Sequence, residues 1–178
     1  MSRVAAVVLA AGEASRFGSP KQLLLLPHVL AGVAKSGVDE IVVVEGAHPL
    51  GEACNTLTQG LPCRVVACGE WVKGPGASLR CGLAWLGDDV AAAVVVLADG
   101  PELAPAAVDR VLDVWRERRT PAVAASYGGV RGHPLVLGRG AWSDIPDEGL
   151  RSQLVVLVPC DDLGAPGDVD YPEDWPSP

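Results

Sequence analysis

Aromatic side chains are scarce in this chain: 4% of 178 residues, with a single Phe and two Tyr. A core built without rings has to come from Val, Leu and Ala, which suits near-continuous apolar strands buried on both faces of a parallel sheet. No apolar run reaches the roughly 18 residues that cross a bilayer. The apolar start at residues 4–11 is too short and leads into a Gly-containing turn, so it reads as a first strand and not as a signal peptide. The cytoplasm is then the expected location. Positive charge is also in deficit, 14 Lys and Arg against 22 Asp and Glu for a net −8, which excludes long-range attraction to nucleic acid or an anionic membrane. A polyanionic substrate needs a local positive pocket instead. No CxxC pair is present, and the five cysteines (Cys54, Cys63, Cys68, Cys81, Cys160) are odd in number, a usage that reads as reduced thiols more than as a disulfide frame or a zinc site.

No repeat of fixed period and no low-complexity linker interrupts the chain, and its length fits one domain over residues 1–178. Residues 164–178, rich in Pro and acidic side chains, are expected to be an irregular tail. Short Val-rich runs at 4–9, 40–44, 64–67, 91–97, 122–125 and 154–158 predict strands. Residues 28–35 and 50–57 have helical character. Over 78–86, Leu79, Leu83 and Leu86 share one helical face, as do Val108, Val111, Leu112 and Trp115 over 106–118. Strand and helix therefore alternate, which predicts a mostly parallel α/β sheet covered on both faces, with ligands beyond the C-terminal strand ends.

The first strand empties into Leu9-Ala10-Ala11-Gly12-Glu13-Ala14-Ser15-Arg16-Phe17-Gly18-Ser19-Pro20-Lys21. Small residues let backbone N–H groups approach a phosphate chain; Arg16 can fork onto phosphate oxygens and Lys21 can set a point charge beside them. Neither GxxxxGK[ST] nor GxGxxG fits the spacing, which argues against a P-loop NTPase and against a nicotinamide-dependent oxidoreductase. The same loop is also compatible with a plain strand-to-helix turn carrying solvated charges. In Gly74-Pro75-Gly76-Ala77-Ser78-Leu79-Arg80-Cys81-Gly82-Leu83, Ser78 stands where a helical turn begins, a place for an anion or a base edge and equally for a simple cap. Cys81 in this stretch reads as packing. Asp99 follows the apolar run 94–97. A carboxylate there faces the ligand crevice, where Mg²⁺ takes one or two carboxylates plus phosphate oxygens, although Asp is also a common turn former. The acidic run 168–174 reads by itself as a solvated tail, and His133 before Pro134 as structural.

In combination and in order, these segments resemble the MobA-like NTP transferases, in particular the molybdenum cofactor cytidylyltransferase branch. Leu9-Ala10-Ala11-Gly12 with Arg16, Gly18 and Lys21 looks like the family's signature loop, with Ala14 where Gly or Ser is common. The stretch 74–83 is similar to its G-x-x-x-S-L-x-x-G-L segment, 97–101 to L-x-D-x-P, and 168–174 to D-x-D-T-P-E-D with Tyr171 in place of Thr. Residues 128–134 look like its G-x-x-G-H-P turn and 147–151 like D-x-G-x-R. The chain departs from the pattern in being shorter after Lys21 and after Arg151.

The resemblance implies a single-domain, Rossmann-like three-layer α/β/α nucleotidyltransferase. It assigns catalysis to Arg16, Lys21 and Asp99, and nucleotide binding to Leu9, Ala10, Ala11, Gly12, Lys21, Gly74, Ser78 and Asp99. Mg²⁺ falls to Asp99 and Asp170, with Asp168 a weaker candidate, and the acceptor side to Arg131, His133 and Arg151. The Ala10-Ala11-Gly12 form points to CTP as donor and a molybdopterin cofactor as acceptor, with transient contact to a molybdoenzyme or its maturation factor. A sugar-phosphate nucleotidyltransferase and a catalytically silent nucleotide-binding or cofactor-delivery module remain alternatives; joint retention of Arg16, Lys21, Asp99 and Asp170 argues against the module.

Overall fold

In the computed structural model of the chain, the described residues are 2–13, 21–51, 58 and 60–175. Arg16, with the rest of 14–20, and most of the helix expected over 50–57 lie outside them. Strands β1 (Arg3–Ala10), β2 (Glu40–Glu45), β3 (Cys63–Ala67), β4 (Val90–Leu97), β5 (Ala122–Tyr127), β6 (Val130–Gly138) and β7 (Val156–Pro159) form one sheet in the order β3-β2-β1-β4-β6-β5-β7. The pairs β1/β2, β1/β4, β2/β3 and β5/β7 are parallel; β6 runs antiparallel to both β4 and β5. The sheet is thus mostly parallel, as the alternation of elements predicts.

Among the described residues three α-helices, α1 (Lys21–Ala34), α2 (Pro75–Leu83) and α3 (Pro105–Arg118), cover it. Side chains of β1 divide between two cores by the period of two that a pleated strand imposes. Val4, Ala6, Val8 and Ala10 pack with α1 and α3 on one face, while Ala5 and Val7 pack with Leu79 and Leu83 of α2 on the other. The three layers are therefore α1 and α3, the sheet, and α2. Helix α2 lies close on the strands: a Cβ at Gly82 would stand 2.6 Å from Val7 and 2.8 Å from Val44, so only glycine admits this approach.

Three expectations need correction. The first helix begins at Lys21 and not at residue 28, and it contains Pro27. Its buried positions Leu25, Leu26, Val29, Leu30 and Val33 keep helical spacing, a period hidden by four consecutive leucines and by a proline that normally marks a break. Second, of the segment read as a turn at 128–134, only Gly128 and Gly129 form the link; the remainder opens strand β6. Gly132 and Pro134 are poor strand residues, and the β5/β6 register slips opposite them, between Ala124 and Ser126. Third, the reduced-thiol reading fails at Cys68 and Cys81, which form a disulfide with Cα atoms 5.7 Å apart. Cys81 therefore crosslinks α2 to the end of β3, beyond simple packing; Cys63 is also disulfide-bonded, and Cys160 is free and buried. Spatial neighbours contributed by different elements leave no spacing signature.

Candidate active site

The C-terminal ends of β1 and β4 lie side by side, with Leu9 paired to Leu97 and Ala98 donating its N–H to the Leu9 carbonyl at 3.0 Å. Two chain segments leave this point and return to it. After β1, the chain re-enters at Lys21, the first residue of α1. After β4 it presents Asp99, half-buried. The C-terminal segment then crosses the same spot: Val169 donates its N–H to the Asp99 carbonyl at 3.2 Å, and Glu102 donates to the Pro166 carbonyl at 2.9 Å. Residues 164–170 contain no regular element, yet Val169 is buried. That segment acts as a strap that delivers Asp170.

The Lys21 ammonium donates to the Val169 carbonyl at 2.7 Å and stands 3.3 Å from both Asp99 Oδ2 and Asp170 Oδ1. Three residues expected to share a site, separated by 78 and 149 positions in sequence, are thus brought together. Two carboxylates facing one point make an all-oxygen donor pair suited to a hard divalent cation. Among the described residues no group of three or more His, Cys, Asp or Glu converges. The pair fits a cation that completes its shell with substrate oxygens and water, as Mg²⁺ does, better than a full protein cage.

Gln22, next to Lys21, is a residue the sequence reading missed. It is buried, and its Nε2 donates to the Gly12 carbonyl at 2.7 Å, tying the start of the signature loop to α1. A side-chain amide directly after the loop lysine, ahead of four leucines, is the signal the sequence offered. Nucleotide-side candidates Leu9, Ala10 and Ala11 lie at or just beyond the end of β1, and Ser78 is buried in the first turns of α2. Gly74 has a clear backbone reason to be glycine. Its φ of 133° favours glycine, and a Cβ would fall 2.3 Å from the Asp147 carbonyl. Gly76 donates its N–H to the same carbonyl at 2.9 Å. Arg80 of α2 completes the brace with hydrogen bonds to the Ile145 carbonyl and the Asp147 carboxylate.

That brace positions the opposite wall. A cleft of about 470 Å³ has Leu79, Val95, Leu97 and Leu135 on its apolar side, with Arg131, His133 and Arg151 also on its walls. A second cleft of about 340 Å³ lies beyond Arg131 and His133 and reaches Gly100 and Asp168. Arg131 is half-buried, and desolvation pulls its pKa below the usual guanidinium value. Its observed partner is a carbonyl, that of Gln153 at 3.1 Å. Burial, reinforced by the Arg131 charge and in small part by Arg151, pushes His133 down to about 4, with Asp99 opposing the shift. His133 is therefore neutral at pH 7. Its carbonyl accepts from the Tyr127 hydroxyl at 3.0 Å, and desolvation pushes that phenol up to about 12. All three acceptor-side candidates meet in one place.

What this geometry offers is positioning and charge neutralisation, which are what transfer of a nucleotidyl group asks of a protein; the chain is a nucleotidyltransferase. A domain model described as the MobA-like NTP transferase domain matches residues 6–154, and the chain belongs to that family. Rv0371c from Mycobacterium tuberculosis H37Rv superposes with a TM-score of 0.74 at 29% identity, covering 97% of this chain and 95% of that one. A structure of Rv0371c in complex with manganese gives 0.71 at 27% identity, covering 97% and 95%. The 4-diphosphocytidyl-2C-methyl-D-erythritol synthase of Anaerococcus prevotii shares the fold, with a TM-score of 0.74 at 14% identity and coverage of 97% and 92%. A search of the curated proteins gives no match. Among the described residues no helix is long and apolar enough to cross a membrane.

Proposed function

We propose that the chain transfers a nucleoside monophosphate, CMP from CTP, to a phosphate-bearing acceptor of the molybdopterin type and releases pyrophosphate. The observation that carries this reading is the meeting of Lys21, Asp99 and Asp170 within 3.3 Å at the C-terminal edge of the sheet. An oxygen of the acceptor phosphate attacks the α-phosphorus; the new O–P bond forms as the bond to the departing pyrophosphate breaks. The backbone of Leu9, Ala10, Ala11 and Gly12, with Gly74 and Ser78, holds the nucleotide, and Lys21 and Arg16 neutralise the leaving pyrophosphate. Asp99 and Asp170 would hold Mg²⁺, which when bound neutralises charge on the phosphate oxygens; the manganese complex of Rv0371c supports a divalent cation in this family. Arg131 and Arg151 receive the acceptor phosphate, with neutral His133 in the same wall. A phosphate monoester is ionised at pH 7, so the reaction needs no general base and none is assigned.

Cytidine as the base rests on Ala10-Ala11-Gly12, where the guanylyl branch carries a further glycine. A cytoplasmic location and a transient contact with a molybdoenzyme or its maturation factor belong to the same reading. The test is pyrophosphate release with Mg²⁺ from CTP, GTP, UTP and ATP in the presence of a molybdopterin-type acceptor. Release from CTP that disappears in Asp99→Ala is the expected result. Nucleotide binding without release from any of the four would point to a cofactor-delivery module or to a different acceptor.

A further inference from the structure

The disulfide between Cys68 and Cys81 encloses part of the nucleotide side of the cleft. It joins residues 13 positions apart, and the stretch between them holds the single turn Trp71–Lys73, Gly74 and Ser78. One end is fixed on the sheet: Cys68 follows β3, is buried, and donates its N–H to the Glu45 carbonyl at 2.9 Å. The other end is Cys81, half-buried in α2. In the cytoplasm, the location proposed above, disulfides are rare, and those that occur are mostly transient and redox-sensing. We propose that Cys68–Cys81 is a thiol-exchange site that sets nucleotide affinity: the oxidised pair holds Gly74 and Ser78 in their binding positions, and reduction by a dithiol loosens them. This rests on the reading of Gly74 and Ser78 as nucleotide-holding residues.

Access decides which sulfur is attacked. A thiolate of the reductant attacks Cys81, the less deeply buried of the two; a mixed disulfide forms as the S–S bond breaks, and Cys68 leaves as a thiolate that takes up a proton. The second thiol of the reductant then attacks the reductant's own sulfur in the mixed disulfide and frees Cys81. The pair gains two electrons and two protons, and the dithiol is oxidised to its own disulfide. Reduction does not undock α2. Leu79 and Leu83 stay packed on the sheet, Gly82 lies against Val7 and Val44, and Arg80 holds the Ile145 carbonyl and the Asp147 carboxylate. What is lost is the covalent link from α2 back to the end of β3, so the enclosed turn regains conformational freedom. A nucleotide must then order that turn as it binds, at a cost in affinity.

The experiment measures calorimetric binding of α,β-methylene CTP, a non-transferable donor, with Mg²⁺ to the full chain in three states: oxidised, reduced with dithiothreitol under native conditions, and re-oxidised. Alkylation and mass spectrometry follow the thiols. Reduction is expected to free Cys68 and Cys81 and to weaken binding roughly tenfold, and re-oxidation to restore it. The double variant Cys68→Ser, Cys81→Ser is expected to bind as reduced wild type does, with or without dithiothreitol, which separates this pair from the disulfide of Cys63. A Cys68–Cys81 bond that resists dithiothreitol in the folded chain overturns the proposal, and that arm needs no variant to fold. A double variant that binds like oxidised wild type, or that still responds to dithiothreitol as wild type does, overturns it as well. Equal binding by oxidised and reduced wild type removes the switch and leaves the nucleotide reading standing; if oxidised wild type binds no analogue, that reading has failed and the switch falls with it.

Discussion

The two halves of the cleft treat charge in opposite ways. On the β1/β4 side, Lys21 is buried against two carboxylates and a carbonyl, so a single positive charge faces two negative ones. On the β6 side, half-buried Arg131 donates to the Gln153 carbonyl, and Arg151 adds a second positive charge nearby. His133, in the same cleft, is held neutral. Two carboxylates outnumber the one ammonium on the β1/β4 side, which leaves it the negative charge that a divalent cation requires. A side that must seize an anion keeps its positive charge unspent, because a resident carboxylate would compete with the substrate.

The comparison breaks most visibly at Asp99. Asp99→Ala is expected to lower pyrophosphate release roughly 10³-fold, read in steady-state assays; a loss below tenfold would mean that the acidic half does not carry the chemistry. Next in size, Arg131→Ala is expected to raise the acceptor KM by roughly 10 to 100-fold, the worth of one desolvated charge-assisted contact, while the KM for CTP stays within about twofold. Equal effects on both KM values would erase the distinction between the halves.

How much of this was legible beforehand follows the same division. The β1/β4 half announces itself: Val and Ala runs give the strands, and Lys21, Asp99 and Asp170 stand in motifs whose order survives in the fold. The β6 half is harder, since Gly132 and Pro134 look like a turn and become a strand because β5 pairs with Val130 and Arg131 before them and β4 and β5 both pair from Leu135 onward. Features made between elements were not readable at all. The Val169 carbonyl, the Cys68–Cys81 bond and the seat of Gly74 against Asp147 depend on distances between elements, and sequence spacing carries no record of them.

The brace between the halves gives a smaller effect. Gly74→Ala places a Cβ against the Asp147 carbonyl at a backbone angle that L-residues avoid, and it is expected to cost about 1–3 kcal/mol in denaturant unfolding. Unchanged stability would show that the 145–151 loop is not seated on α2 as described. The smallest effect is a pH dependence. His133 titrates at about 4 in the folded protein against about 6.5 in the unfolded chain, so the unfolded state takes up the proton first. Its contribution to stability is complete above pH ~6.5 and is lost as pH falls towards 4. His133→Gln should therefore show a shallower decline in melting temperature across that window than wild type; parallel curves would mean that the imidazole is not held neutral.

The central claim is that one half handles metal and nucleotide and the other handles the acceptor. It is tested most directly by calorimetric binding of α,β-methylene CTP with Mn²⁺ to Asp99→Asn and Arg131→Ala side by side. Loss of binding in Asp99→Asn with wild-type affinity in Arg131→Ala is the predicted result; retained binding in Asp99→Asn, or equal loss in both, would contradict it.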